Sequence, residues 1–491
     1  MHPPTPRTAG TPPAAPVAAL HDLRHPPTPL LWRAVLLAVA AGIGIGSYFA
    51  RESLGPSAGP RAQAGLGALC FITLAAAFST NLRAVNWRTI GMGVVLQVLL
   101  AWVVLRNEPV REAFRATANA ATKLLDYAND GAKFVFGPLA DPPVLERALG
   151  KNNGFIFAFM VLPPIIFISS FFTVLYYFGV LQWVVRVMAK IMMYLLGTSG
   201  AESLSVSASV FMGQTEAPLI VKPFVARMTR SELLSLMVSG MAHVSGSIMV
   251  VYILYGAEPV AILTTVVMAC PCSLYLTKLL LPETGRPETA GDARPPVVEK
   301  AYVNAIDAAA AGASDGLRLA LNVAAMLIAF LAFIALVNGL LGLLDTAWVM
   351  GRSWWPSAWV LPEHMSLEWI FGQLFAPVAY LIGVDPAETH KVGSLLGTKL
   401  VANEHVAYIT LTKDPAFKGL LSPRTFMLTT FALTGFANFS SIGIQIGGIG
   451  GIAPDRRHDL AKLGIRALFG GFLVTIINAA VAGTLVPVNT P

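Results

Sequence analysis

Long apolar runs, many of them free of Asp, Glu, Lys and Arg, recur along this chain from Leu31 to the C-terminal region. About 20 apolar residues span a bilayer as a helix, whereas runs of about 10–14 suit buried core helices. Several runs here belong to the longer class. With 55% hydrophobic and 12% charged residues, the chain carries half the charge of a soluble protein, which averages about 25%. The fold class that follows is an all-α polytopic membrane protein, with the lipid bilayer as its first partner. The formal net charge of +7 gives no reason to expect nucleic acid, because the positive residues lie between apolar runs, where membrane topology accounts for them. Cys70, Cys270 and Cys272 sit inside apolar segments. Cys270-Pro-Cys272 lacks the two-residue spacer of redox and zinc motifs, so neither a disulfide framework nor a metal site is expected there.

The candidate spans are Leu31–Phe49, Leu66–Phe78, Ile90–Leu105, Phe155–Val185, Leu233–Leu254, Val260–Leu281, Leu317–Leu344, Met427–Ile449 and Ile465–Val486. Residues 1–30, rich in Pro and Ala, read as a disordered tail. Between the third and fourth spans, Val110 to Phe136 is too polar to cross. Phe114, Ala118, Ala121 and Leu125 recur on one helical face there, as in a helix lying in the interface plane or packed on the protein. The placement of Arg and Lys favours a cytoplasmic N-terminus.

Two regions break the spanning pattern. Ser199–Arg227 holds Glu202, Gln214, Thr215, Glu216 and Lys222 in an otherwise apolar setting, and Ala387–Thr412 holds Glu388, Lys399, Asn403, Glu404 and His405. Each is followed by a span with small or polar residues at mid-length, Ser245-Gly-Ser247 in one and Asn438-Phe-Ser-Ser441 in the other. Non-helical backbone survives at membrane depth only where protein buries it or it lines a wet cavity. Paired interrupted segments in two halves of a chain point to a transporter site at the membrane midplane. The pattern therefore predicts an inverted repeat with two re-entrant hairpins and two broken helices.

The candidate chemistry lies in these segments. A carboxylate at bilayer depth costs about 2.5–3.5 kcal/mol on insertion scales, so Glu216 and Glu404 need a role. Gln214 offers a donor and an acceptor, as the edge of a neutral heterocyclic base requires. Glu404 can clamp a pair of hydroxyls. The bland alternatives are surface pairs, Glu216 with Lys222 and Glu404 with Lys399, and helix–helix packing for Asn438 and Ser441. The glycine run from Gly443 to Gly451 lacks the Lys-Ser/Thr ending of a phosphate loop. A membrane-embedded hydrolase would need a nucleophile–base pair or metal set that the motifs do not supply, and no enzymatic activity is expected.

Gly213-Gln-Thr-Glu-Ala-Pro218, Val401-Ala-Asn-Glu404 with Val406-Ala-Tyr408, Gly435-Phe-Ala-Asn-Phe-Ser-Ser-Ile-Gly443, Ala308-Ala-Ala-Ala-Gly-Ala-Ser314 and Leu319-Ala-Leu-Asn-Val323 follow in an order that resembles the concentrative nucleoside transporter family. The resemblance runs from about Gly65 to the end. It implies an ion-coupled nucleoside symporter of the bacterial inner (plasma) membrane, a homotrimer whose transport domains move elevator-like against a scaffold. A carrier of nucleobases or other small polar solutes is the alternative. It implies substrate contacts at Gln214, Thr215, Glu216 and Ile248 on the base side and at Glu404, Phe436, Asn438 and Ser441 on the ribose side.

The resemblance also implies an ion site near Ser209, Met212, His243 and Val244. Ser209 stands there for a family Asn and His243 for a family Ser, while His405 stands for a Phe beside Glu404. An imidazole is a poor sodium ligand but exchanges protons near neutral pH. A proton is therefore expected as coupling ion over sodium, with no other cofactor. The resulting domain division is a tail (1–30), an extra span and loop (31–63), scaffold spans with the interfacial helix (64–190), a first transport half (191–300), a scaffold span with an interfacial segment (301–380) and a second transport half (381–491).

Overall fold

The computed structural model describes residues 27–150, 156–291, 302–343 and 365–488. Most of the expected tail, part of the basic loop before Lys300 and most of the segment between 344 and 364 lie outside the described residues, which form helices and turns with no strand. The chain enters through α1 (Leu30–Ser53), which turns at Leu54 and packs back along α2 (Gly55–Ala77). Then come α3 (Trp87–Arg106) and α4 (Glu108–Phe136). Their N-termini are capped by the side chains of Asn86 and Asn107, which accept from Arg88 N and Val110 N, the usual relief for first-turn N–H groups. The polar helix α4 packs on α3 and on the next span, burying Leu125, Ala128 and Ala132, with Arg115 and Glu112 paired at 2.6 Å on its exposed side.

The single span expected from Phe155 to Val185 is two helices, α5 (Leu162–Tyr177) and α6 (Val180–Leu196). Gly179 between them has φ +81°, a left-handed conformation that stops a helix at little cost only for glycine. The unbroken apolar run concealed that stop. In α6, Leu181, Val185, Ala189, Met192 and Leu196 are buried while Arg186 and Lys190 are exposed, so it lies along the protein as an amphipathic helix.

Seven of the described helices are long and apolar enough to cross a membrane. The run Leu66–Phe78 is part of α2, whose first half is diluted by Gly, Pro, Arg and Gln. The run Met427–Ile449 is divided between α15 (Pro423–Leu433) and α16 (Phe439–Ile452). The span α8–α9 (Arg230–Ala242 and Gly246–Tyr255) is 94% buried, α10 (Pro259–Leu280) 89%, and the span ending in α17 (Arg457–Leu485) 83%; α1 is only 11% and α11 (Ala305–Gly342) 17% buried. The first group is therefore an inner bundle and the second a perimeter. α11 crosses α5 closely: a Cβ at Gly316 would lie 2.7 Å from Ile166 Cα, and one at Gly312 2.7 Å from Ser170 Cα. Small residues four apart allow such an approach between membrane helices.

Buried polar chains tie the inner bundle together. Tyr275 on α10 donates to Gln97 on α3 at 2.8 Å, Gln97 donates to Asn478 on α17 at 2.6 Å, and Asn478 donates to Thr265 O on α10 at 3.2 Å. At one end of the bundle two capping boxes interlock. Ser199 and Glu202 cap α7 (Gly200–Ala208), while Thr229 and Glu232 cap α8. Ser199 Oγ donates to Glu232 at 2.5 Å and Ser235 Oγ to Glu202 at 2.8 Å. Lys278 Nζ, from α10, lies 2.8 Å from Glu202 and 3.2 Å from Glu283. Removing one partner of a buried ion pair leaves an uncompensated charge and costs about 3–5 kcal/mol. Lys278→Met is therefore expected to lower the thermal unfolding midpoint in detergent clearly; an unchanged midpoint would contradict this account of the cluster.

Candidate binding site

Four interruptions in helical structure meet inside the inner bundle. The first is the tip after α7, Ser209 to Glu216, followed by the short turns Ala217–Ile220 and Lys222–Val225. The second separates α8 from α9: His243 and Ser245 are extended, and Ser245 Oγ accepts from Ile248 N to start α9. The third follows α12 (Leu367–Leu381) and separates α13 (Thr389–Val401) from α14 (Glu404–Lys413), with Asn403 Oδ1 accepting from Val406 N at 2.9 Å. The fourth separates α15 from α16, where Asn438 Oδ1 accepts from Ser441 N at 3.0 Å. Side-chain caps thus satisfy N–H groups that the interruptions would otherwise leave unpaired.

The breaks touch one another. Gly435 has φ +129°, and a Cβ there would stand 2.8 Å from Ala242 O. Phe436 N donates to His243 O at 3.4 Å, and Gly246 N donates to Phe211 O on the first tip at 2.9 Å. Glycine is required at 435 both by its dihedral angle and by the approach of the other break.

Glu404 is the centre of the polar network. Its Oε1 accepts from Tyr252 OH and from His405 Nδ1, each at 3.0 Å, and its Oε2 accepts from Asn438 Nδ2 at 2.9 Å. Asn438 Oδ1 in turn accepts from Ser441 Oγ at 3.1 Å, and Ser441 Oγ accepts from Gln214 Nε2 at 3.3 Å. Gln214 Oε1 accepts from Gln445 Nε2 at 3.3 Å, which also donates to Met237 O at 3.0 Å. Gln214, Glu404, Asn438 and Ser441, chosen from sequence, are therefore one connected chain of hydrogen bonds. Glu404 is buried and does not pair with Lys399, which donates instead to Ala432 O and Thr475 Oγ1. A carboxylate offers about four lone-pair sites, and three are filled here.

Glu216 stands apart from this chain. Its Oε2 accepts from Gly213 N at 3.0 Å, and the side chain faces a cavity of about 770 Å³ shared with Lys222, Ser247, Ser169 and Asp315. Glu404 is buried and is not among the residues that line this cavity. Among the remaining candidates, Thr215 packs against Gly448, Ile248 is buried, and Phe436 is half-buried at the joint of the breaks.

Two of the expected ion residues, Ser209 and His243, contact Ser239. Ser209 Oγ lies 3.4 Å from Ser239 Oγ and donates to Ser205 O at 3.0 Å. His243 Nδ1 lies 2.8 Å from Ser239 O, a pure acceptor, so that nitrogen carries the proton. His243 Nε2 is then free to accept from the Cys270 thiol at 3.4 Å. Val244 is buried and Met212 lines the cavity. Among the described residues, no group of three or more His, Cys, Asp or Glu side chains forms a metal-binding cluster.

Sequence reasoning missed Tyr252, Gln445 and Cys270. Tyr252 lies one helical turn beyond Ile248 on α9, and Gln445 is a lone amide in a helix of Ile, Gly and Ser; both were legible as polar groups on a face expected to be buried. Buried Gln445 Oε1 and His405 Nε2 have no hydrogen-bond partner among the described residues. Tyr252→Phe keeps the ring, which stacks on Tyr408 at 4.3 Å, but removes a donor from a buried carboxylate. Hydrogen bonds to charged groups contribute about 1.5–3 kcal/mol, so the variant is expected to unfold at a lower temperature; an unchanged midpoint would mean that Tyr252 does not support Glu404.

Comparison with known proteins matches these elements. Profiles described as Na+ dependent nucleoside transporter N-terminus and C-terminus match residues 66–139 and 261–483, and one described as nucleoside recognition matches 158–258. An uncharacterised transporter of Haemophilus influenzae is 41% identical over 429 residues, covering 86% of this chain and 97% of its own. Human sodium/nucleoside cotransporter 1 is 37% identical over 481 residues, covering 94% of this chain and 69% of its own. The structure of CNTnw in an inward-facing substrate-bound state is 38% identical with TM-score 0.78, covering 86% of this chain and 97% of that one. An outward-facing CNTnw variant, also 38% identical, gives TM-score 0.79 over 87% and 97%. With its helices, hairpins and breaks matched along most of its length, the chain belongs to the Na+-dependent nucleoside transporter family, multi-pass proteins of the plasma membrane.

Proposed function

We propose that the protein carries nucleosides into the cell in symport with a cation and binds them where the two hairpin tips meet the two helix breaks. The observation that carries this reading is Glu404, a buried carboxylate already oriented by Tyr252, His405 and Asn438. One acceptor site on its Oε2 remains for a ribose hydroxyl, and a second hydroxyl can displace the Asn438 amide. Asn438 and Ser441 serve the same sugar, beside Phe436. The base lies toward Gln214, Thr215 and Glu216, with Ile248 as apolar floor. Gln214 has an amide polarity fixed by Gln445 on one side and Ser441 on the other. Bilayer-crossing carriage then follows as an elevator-like displacement of the inner bundle against the perimeter helices, in a homotrimer of the inner membrane.

The coupling ion in this reading is a proton. Sodium prefers oxygen ligands, whereas the side chains around Ser239 include an imidazole and a thiol that already bond to each other. His243 is the titratable side chain at that site and, in this reading, the group that exchanges the proton. Sodium is the second reading, favoured by the family's description. Uptake of labelled uridine into proteoliposomes under separate sodium and proton gradients distinguishes them. A proton gradient alone is expected to drive accumulation; accumulation driven by sodium at fixed pH, with no response to a proton gradient, would reverse the assignment.

The sugar assignment has its own test. Glu404→Gln exchanges a charged acceptor for a neutral one, and charge-assisted bonds contribute about 1.5–3 kcal/mol. Binding of uridine is expected to weaken by about ten- to a hundredfold, and binding of uracil by much less. Equal losses for both would contradict a ribose contact at Glu404.

A further inference from the structure

Lys399 plays no part in the contacts proposed above, yet it is wholly buried. It projects from α13, the first arm of the second hairpin. Its Nζ donates to Ala432 O at 2.8 Å and to Thr475 Oγ1 at 3.0 Å, and lies 5.9 Å from the centre of the Phe472 ring. That is within the range over which an aromatic face attracts a cation. None of these partners is an anion. Glu404 begins the other arm of the same hairpin, separated from the arm of Lys399 by Ala402 and Asn403. Lysine is almost never fully buried without a paired charge, so this one needs a reason.

Ala432 lies in the last turn of α15, just before the second break. Carbonyls of a last turn carry the negative end of the helix dipole and lack helical partners. The first break is only partly parallel: α8 stops at Ala242, and the last-turn carbonyl of Ser239, which already accepts from His243 N at 3.1 Å, also meets His243 Nδ1. Each broken helix thus ends against a nitrogen of the protein itself, but the two nitrogens differ. His243 belongs to the end it caps and is an imidazole. Lys399 reaches in from a separate element, the hairpin that also carries Asn403 and Glu404.

We propose that Lys399 is a positioning residue that supplies the second broken helix with a protein-borne ammonium donor and thereby holds Glu404 and the second hairpin against the break in the nucleoside-binding arrangement. It touches no substrate; it acts through Glu404 and the α15 terminus. The second half of the site then needs no dissociable ion, and ion exchange during transport belongs to the first half, at His243. The inference rests on reading Glu404 as a nucleoside ligand.

The test is equilibrium binding of labelled uridine to the purified full-length protein, wild type, K399M and K399A. Ethylammonium or 1-propanol is added to K399A, the first restoring a positive charge and the second only volume. K399M, which keeps the apolar stem and loses the charge, is expected to bind uridine at least about tenfold more weakly. Ethylammonium is expected to restore binding to K399A with saturation, and propanol is not. Wild-type affinity in K399M would overturn the proposal, as would equal recovery with the amine and the alcohol. Should K399M fail to fold, the unfolding midpoint of K399A purified in either additive decides: a rise with ethylammonium alone supports the ammonium donor, and identical midpoints overturn it. Absence of uridine binding in wild type would count against the nucleoside reading, while the midpoint comparison would still report on the lysine.

Discussion

Everything in the centre of this protein depends on pairing the backbone groups that two helix breaks release at membrane depth. Hydrocarbon offers no hydrogen bonds, so an interruption there is tolerable only if side chains or neighbouring backbone take the freed groups. Here Ser245, Asn403 and Asn438 cap the helices that restart, and the backbones of the breaks bond to each other and to the first tip. Asn438 does this while also donating to Glu404. A residue that makes an interruption possible is therefore also one of the proposed substrate contacts.

The division between inner bundle and perimeter has the same origin. The span that carries the first break, α8–α9, is buried over most of its length, whereas α1 and α11 expose most of theirs. An interrupted helix cannot face lipid, but an intact apolar one can. Close glycine contacts between α5 and α11 and long buried polar chains through Gln97, Tyr275 and Asn478 then fix each layer by different means, small-residue packing outside and hydrogen bonding within.

Much of this was legible in the sequence, because the bilayer simplifies the reading. Apolar runs located the helices, and polar or small residues in mid-run located the breaks. Glu404, Asn438, Ser441 and Gln214 stood out as polar groups in apolar settings, and the structure joins them. What was not legible depended on three-dimensional proximity or on a single dihedral angle. Gly179 divides an unbroken apolar run without changing its composition. Lys399 suggested an exposed partner for Glu404, and nothing in its neighbourhood in sequence announces Ala432 or Thr475. The Cys270 partner, His243, lies on another element and could not be read from its sequence neighbours.

The joint between the breaks has a mechanical consequence. Phe436 N meets His243 O, and Gly435 leaves no room for a side chain between itself and Ala242 O. Main chain from the two repeats is thus spliced at one point, with no flexible side chain to absorb slack. Distortion of either repeat is transmitted directly to its counterpart, so slippage, in which one passenger crosses while the other stays behind, would require tearing that splice apart.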